Sequence, residues 1–256
     1  MRFCVIASGS KGNMTYVEAK DTRLLIDAGI TLAAANKRCS DIDLSNITDI
    51  LITHEHSDHI HYIDTVLKKT NANLYISKKS FMNLRKDLIN RLKGYNIKFI
   101  EEESRYFIGD FEVLTLALSH DSADVFGYII NHQGKSLAYI TDTGVFPNRY
   151  KDLLKTVDGL IIEANHNVEM LINSDRDIYL INRILSAKGH LSNQVCFEIL
   201  NEYLTSKTKY VILAHISEDC NNDECLDVEI ISKLKDKYEG EILIARQREA
   251  IKVIEL

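Results

Sequence analysis

The chain has 256 residues, 45% of them hydrophobic and 27% charged, an ordinary globular balance with room for a buried core. Thirty-one Lys and Arg against 37 Asp and Glu leave a net charge of −6, which excludes a general polyanion binder but not a local basic groove. No apolar run approaches the ~20 residues of a membrane span, the opening Met1–Ala7 runs into Ser and Gly without the form of a signal peptide, and Cys4, Cys39, Cys196, Cys220 and Cys225 follow no disulfide framework, so a cytosolic chain with reduced thiols is expected.

In chain order, Arg2–Ala7, Met14–Ala19 and Thr22–Asp27 are rich in β-branched residues, are separated by turn residues and read as strands. The loop after the first, Ala7-Ser8-Gly9-Ser10-Lys11-Gly12-Asn13, is either a hairpin turn or a phosphate-binding loop of free backbone N–H groups and a lysine. Ile47–Thr53 predicts a strand, and Ile60, Ile63 and Leu67 predict a helix over Ile60–Lys69. Leu74–Ser77 follows as a short strand and Lys79–Leu92 as a polar helical stretch. Phe111–Leu118, Phe126–Asn131, Ser136–Thr141, Gly159–Glu163 and Lys209–Ala214 are strands. Helices are expected at Ile178–Ala187, at Ser192–Leu204 with Ser192 as N-cap, and near Leu226–Tyr238. Strands near Glu241–Ile244 and Ala250–Ile254 close the chain. Strands and helices interleave without a linker or repeat, so the expectation is one α/β or α+β domain over 1–256 with large sheets.

The sharpest feature is Thr53-His54-Glu55-His56-Ser57-Asp58-His59, directly after the apolar Ile50-Leu51-Ile52. In extended chain, alternate side chains share a side. His54 and His56 can therefore grip one cation, while Asp58 and His59 aim elsewhere, toward a second. Imidazoles with a carboxylate suit Zn(II), Mn(II) or Fe(II). The alternative is a polar turn with chance histidines. Cys220 and Cys225 flank a polar loop, but no further Cys or His pair follows at finger spacing.

His-x-His-x-Asp-His after an apolar strand resembles the signature of the metallo-β-lactamase superfamily. Further motifs stand in the same order: Leu25-Ile26-Asp27-Ala28-Gly29, Ser119-His120-Asp121, Ile140-Thr141-Asp142-Thr143-Gly144 and Leu213-Ala214-His215. The resemblance implies a four-layer αββα sandwich of two mixed β-sheets flanked by helices. It also implies two divalent metal ions, Zn, Mn or Fe. His54, His56 and His120 would bind the first, Asp58, His59 and His215 the second, and Asp142 would bridge them. Asp27 would support the histidine loop from behind. Two such cations, ~3.5–4 Å apart, generate hydroxide from a shared water and stabilise charge on the electrophile.

Within the superfamily, His56 argues against the diiron flavoprotein branch, which carries Glu there, and Asp142 against the zinc β-lactamases, which mostly carry Cys. Glu163-Ala164-Asn165-His166 and Gly189-His190-Leu191-Ser192-Asn193 resemble the phosphodiesterase branch that includes tRNase Z. That likeness implies His190 as general acid, oriented by Glu163. A helix starting at Ser192 disfavours a protonated His190 or, instead, cradles the scissile phosphate; packing or capping is the plain alternative. With Ser-Gly-Ser-x-Gly-Asn in front, the pattern is similar to the bacterial YycJ/WalJ-type group, which implies a 5′→3′ exonuclease acting on DNA. Ser8, Ser10, Asn13 and Ser192 are then candidate phosphate contacts, and the partner is nucleic acid, a DNA single strand or end, or a small phosphodiester.

A thioesterase of the glyoxalase II kind shares these ligands and is the competing reading, although that enzyme adds a C-terminal helical site and this chain ends in alternating strand and helix. Lys78, Lys79, Arg85, Lys86, Arg91 and Lys93 form either a nucleic-acid patch or a solvated helix face. Tyr62, Phe126, Tyr128 and Phe146 are candidates either for base stacking or for the core.

Overall fold

Alternation along the strands sets the layering. In β1 (Arg2–Ala7), Phe3 and Val5 join one buried cluster and Cys4 and Ile6 another. A strand buried on both faces belongs inside a layered structure. The computed structural model, which describes residues 1–256, places this strand in the first of two seven-stranded sheets.

In that sheet β1, β2 (Met14–Ala19) and β3 (Thr22–Ile26) run antiparallel. Then β4 (Asp49–Leu51), β5 (Asn73–Ser77) and β6 (Ile97–Ile100) add in parallel. Parallel neighbours need crossovers, and helices supply them. They are α1 (Leu32–Arg38), α2 (Ser57–Ile60), α3 (Ile63–Thr70), α4 (Lys78–Asn83) and α5 (Lys86–Leu92).

The second sheet repeats the grammar. Its antiparallel part is β7 (Arg105–Ile108), β8 (Phe111–Ala117), β9 (Phe126–His132) and β10 (Lys135–Ile140). Its parallel part is β11 (Gly159–Glu163), β12 (Tyr210–Ala214) and β13 (Glu241–Ile244). The helices of this half are α6 (Lys151–Leu154), α7 (Val168–Ile172), α8 (Ile178–Leu185), α9 (Asn193–Tyr203), α10 (Asp223–Leu226) and α11 (Ser232–Leu234). The last strand, β14 (Ile254–Glu255), crosses back and pairs with β1, Glu255 facing Arg2.

The inward faces of the two sheets share one core, with Phe3, Val5 and Leu24 from the first and Tyr128, Ile161 and Ile212 from the second. The outward face of the first sheet packs on its helices through Leu25, Ile50 and Leu74. The second packs through Ile140, Ile162 and Leu213. The result is the expected αββα order. The Tyr128 hydroxyl donates 2.6 Å to the Ile52 carbonyl and ties the sheets together just before the histidine loop. No helix is long and apolar enough to cross a membrane.

Several elements differ from expectation. The first long helix is two, α2 and α3. The polar stretch also splits, because Leu84 takes an extended backbone (ψ 151°) and turns into the core with Leu88 and Leu92. α1, β6, β7 and α7 carried no usable periodicity. The helix expected near Leu226 starts earlier, capped by the Asn222 side chain, and passes through a π-helical turn over Asp227–Ile231. Phe126, Tyr128 and Phe146 are buried core residues rather than stacking platforms. In the basic stretch, Lys79, Arg85 and Arg91 pair with Asp124, Asp87 and Asp64. All five cysteines are free.

Candidate metal centre

The centre forms where strand ends of both sheets converge. β3 runs level with β4, and Asp27 leaves its end with φ 63°. In the other sheet Glu163 ends β11 opposite Ala214, and His215 follows β12 with φ 51°. Asp142 lies just past β10 with φ 57°. Three non-glycine residues in the left-handed region at one place mark a constrained site, because such backbones are uncommon and costly. Gly29 shows how tightly the loops nest: a Cβ there would meet the Asp58 carbonyl at 1.8 Å. The Ala28 amide also donates to the His59 carbonyl at 2.7 Å, which pins the histidine turn on the loop after β3.

Ligand-capable atoms gather accordingly. Those of His54, His56 and His120 lie within 4.8 Å of one another, as do those of Asp58, His59 and His215. Asp142 joins His54 and His59 in one such group and His190, His215 and Glu163 in another, so it sits between the first two. Each of these imidazoles but His56 has its Nδ1 held from outside. His54 is held by the Thr53 hydroxyl (3.1 Å), His59 by Asp27 (2.7 Å), His120 by the Gly189 carbonyl (3.0 Å) and His215 by Glu163 (2.8 Å). Anchoring Nδ1 leaves Nε2 directed at the centre, the outer support that ligand histidines require.

Charge follows the same plan. Burial opposes a proton on His59, but Asp27, Asp142 and Asp58 outweigh it and raise its proton affinity well above the ordinary value. His215 is pushed up to about 10 against burial by Asp142, Asp58 and Glu163. Burial also opposes charge on Asp58, yet His59 and His215 hold its carboxyl far below the usual range. His54 and His120 are lowered, first by burial. The carboxylates thus call for positive charge at the middle of the cluster. Buried polar atoms are normally hydrogen-bonded, yet Nε2 of His54, Nε2 of His215 and Oδ2 of Asp142 are buried with no partner. Imidazole nitrogens and carboxylate oxygens, unpartnered and electronegative overall, fit divalent cations.

A family model described as a beta-lactamase superfamily domain matches residues 22–216, more than half of the chain. The chain belongs to the metallo-β-lactamase superfamily. Among its relatives, exodeoxyribonuclease YycJ of Bacillus anthracis is 33% identical over 94% of this chain and 91% of its own. Exodeoxyribonuclease WalJ of Streptococcus pneumoniae serotype 2 (strain D39) is 32% identical over 91% of this chain and 88% of its own. These relatives make the chain YycJ/WalJ-type. The crystal structure of the metallo-β-lactamase-fold protein YhfI from Bacillus subtilis superposes with a TM-score of 0.72, at 17% identity, over 98% of each chain.

In this metallo-β-lactamase-fold protein, Glu163 and His190 stand at the edge of the cluster. Glu163 is fully buried, and its Oε1 lies 2.8 Å from Nδ1 of both His190 and His215. Its Oε2 accepts the backbone N–H of Thr143 (3.1 Å) and of Leu191 (3.0 Å). Both oxygens are thereby engaged, which suits an orienting group better than a ligand. Burial works against its charge, but His190 and His215 keep its carboxyl far below the usual range. His190, partly exposed, opens onto a cleft of about 130 Å³ shared with His120, His215 and Ser10. A larger groove of about 680 Å³ beside it contains no member of the cluster.

Three of the four candidate phosphate contacts are turned to other work. The Ser8 hydroxyl accepts the His215 amide (2.7 Å). The Asn13 amide is buried against the Gly9 carbonyl, Asp58 and His59. Ser192 caps α9 by accepting the Val195 amide, and the Asn193 amide is taken by the His166 carbonyl (2.9 Å), so two of the first three amides of this helix are already partnered. Ser10 alone is exposed on the cleft wall. The roles of Thr53, whose hydroxyl donates to Asp27, and of Thr143 were missed; both adjoin recognised motif residues, and that adjacency was the available signal. Arg176 and Arg183, which also line the cleft, carried no motif.

Proposed function

We propose that this chain is a metal-dependent phosphodiesterase that degrades DNA as a 5′→3′ exonuclease in the cytoplasm, acting as one domain over residues 1–256. The observation that carries the reading is the single Glu163 oxygen shared at 2.8 Å by His190 and His215. That oxygen couples an imidazole facing the cluster to one facing the cleft, an arrangement suited to proton delivery beside a metal centre. The relatives named exodeoxyribonuclease support the substrate class.

His54, His56 and His120 would hold one divalent cation, Asp58, His59 and His215 a second, and Asp142 would lie between them. Bound Zn, Mn or Fe supplies water activation and polarisation of the phosphoryl oxygens. The remaining work belongs to side chains. Asp27 keeps the Nε2 of His59 toward the centre, and Asn13 packs its amide against the same ring. Glu163 accepts from Nδ1 of His190, so Nε2 of His190 faces the cleft and passes a proton to the leaving sugar oxygen. The Ser10 hydroxyl donates to a non-bridging phosphate oxygen.

The test is an assay of Mn(II)- and Zn(II)-reconstituted protein on bis-p-nitrophenyl phosphate, end-blocked single-stranded DNA, duplex DNA and S-lactoylglutathione. Mononucleotide release from strands blocked at the 3′ end, but not at the 5′ end, is expected. Hydrolysis of the thioester alone overturns the reading. His190→Ala should lower turnover about 10²–10⁴-fold, the usual worth of a general acid, with metal content unchanged; undiminished turnover removes that role.

A further inference from the structure

One wall of the cleft is helix α8 and the residues before it. Arg176, Leu180, Arg183 and Ile184 line the cleft together with His120 and His190. Ile181 and Ile184 anchor the helix in a small core with Leu171 and Cys220, yet Tyr179 is 79% exposed and Ile178 70%. Tyr179 and Arg183 are four residues apart on α8, the spacing that stacks side chains along one side of a helix, and Arg176 stands in the bend just before it. Tyr179 is close enough to Arg183 to add to the raised proton affinity that Asp121 chiefly gives that guanidinium. Left in water on the helix turn beside the cleft-lining Arg183, this tyrosine contributes little to the core.

We propose that this wall is a guide rail for single-stranded DNA, with Arg176 and Arg183 holding successive backbone phosphates and Tyr179 stacking on a base. The inference rests on the phosphodiesterase reading and specifies how that site takes its substrate. Net charge −6 gives the chain no general attraction for a polyanion, so affinity has to come from local cations beside the reacting phosphate. The two guanidiniums have resting partners on the rim: Arg183 pairs with Asp121, and Arg176 lies 3.0 Å from the well-exposed Asp219. Exposed pairs of this kind contribute little, and a phosphate that accepts two parallel N–H bonds from one guanidinium can displace such a carboxylate. The exposed tyrosine ring offers a face to any base. The cleft of about 130 Å³ leads from this wall to His120, His190 and His215, so a strand held on the rail would run to the candidate centre.

The experiment measures binding and cleavage separately. Binding of a fluorescent, phosphorothioate-linked oligothymidylate is followed by anisotropy. Tyr179→Ala should weaken it about tenfold, within the range of one base–aromatic stack, and Tyr179→Trp should retain it. Arg176→Ala should reduce the slope of log Kd against log salt by about 0.7, one phosphate contact on a single strand. In cleavage, the ratio of kcat/KM on the strand to kcat/KM on bis-p-nitrophenyl phosphate should fall with Tyr179→Ala by a similar factor of about ten. Unchanged Kd and unchanged ratio overturn the rail, as does loss of binding to an RNA strand with DNA binding intact. A wild-type protein that cleaves neither substrate defeats the phosphodiesterase reading instead, and the anisotropy still decides the rail.

Discussion

The two halves of the chain build the same strand grammar but distribute their reactive side chains in opposite ways. Each sheet begins antiparallel, continues parallel and presents polar residues where parallel strands end. The first half concentrates His54, His56, Asp58 and His59 in one turn after β4. The second delivers His120, Asp142, Glu163 and His215 singly, from the ends of four different strands. A concentrated set needs only one well-held turn, and Gly29 and Ala28 hold it. A dispersed set depends on the register of the whole sheet, since a slip between β11 and β12 would part Glu163 from His215. Both halves still use one device, a buried carboxylate behind a histidine: Asp27 for His59, and Glu163 for His190 and His215.

The largest expected effect comes from the residue where the halves meet. Asp142 lies within reach of groups from both. Asp142→Ala should lower kcat/KM at least about a thousandfold, the several kcal/mol that metal assistance supplies, and reduce bound metal measured by mass spectrometry. Asp58→Ala, confined to the first half's turn, should lose activity comparably. An Asp142→Ala protein within tenfold of wild type would mean that the two groups of ligands work independently.

The orienting carboxylates give a smaller and more discriminating contrast. Asp27→Asn should weaken metal affinity about 10–100-fold, the usual cost of losing such a support, with kcat recovering when metal is saturating. Glu163→Gln should weaken metal affinity by a similar factor and keep kcat low at saturating metal, because it also releases His190. Metal titrations of both variants, each followed to saturation, separate the two outcomes. Recovery of full kcat by Glu163→Gln would break the asymmetry between the halves.

That asymmetry also explains what could be read from residues alone. The first half's candidate ligands fall at a spacing that itself suggests a metal, directly after a continuous apolar strand. His120, Asp142 and His215 are each an unremarkable polar residue after an apolar strand, and only their order and family resemblance singled them out. The left-handed backbones at Asp27, Asp142 and His215 are not legible in the sequence, since the mild preference of Asp and His for positive φ does not pick out which of many such residues adopt it. Ser8, Asn13 and Ser192 looked like phosphate contacts because a free hydroxyl or amide reads the same whether it meets a ligand or a neighbouring loop. Short edge elements such as β6 and β7 were missed because exposed residues interrupt their alternation.

His166 supplies the subtlest difference, in stability rather than turnover. His59 in the first half sits among carboxylates, whereas His166 is 1% exposed, with Asn165 as its side-chain partner and no carboxylate in ion-pair range. Burial chiefly lowers its pKa to about 4. An unfolded histidine titrates near 6.5, so between about 6.5 and 4 the unfolded chain binds a proton that the folded chain refuses, and stability must fall as pH falls through that window. The full span is worth about 3 kcal/mol, at ~1.4 kcal/mol per pH unit. His166→Gln removes the titration. Denaturant midpoints measured from pH 7 to pH 4.5 should therefore decline less steeply for the variant than for the wild type. The comparison cancels any shared loss of metal on acidification, because metal affects both proteins alike. Parallel declines would place His166 in contact with water in solution, and the strand end between β11 and α9 would then be looser than its partner in the first half.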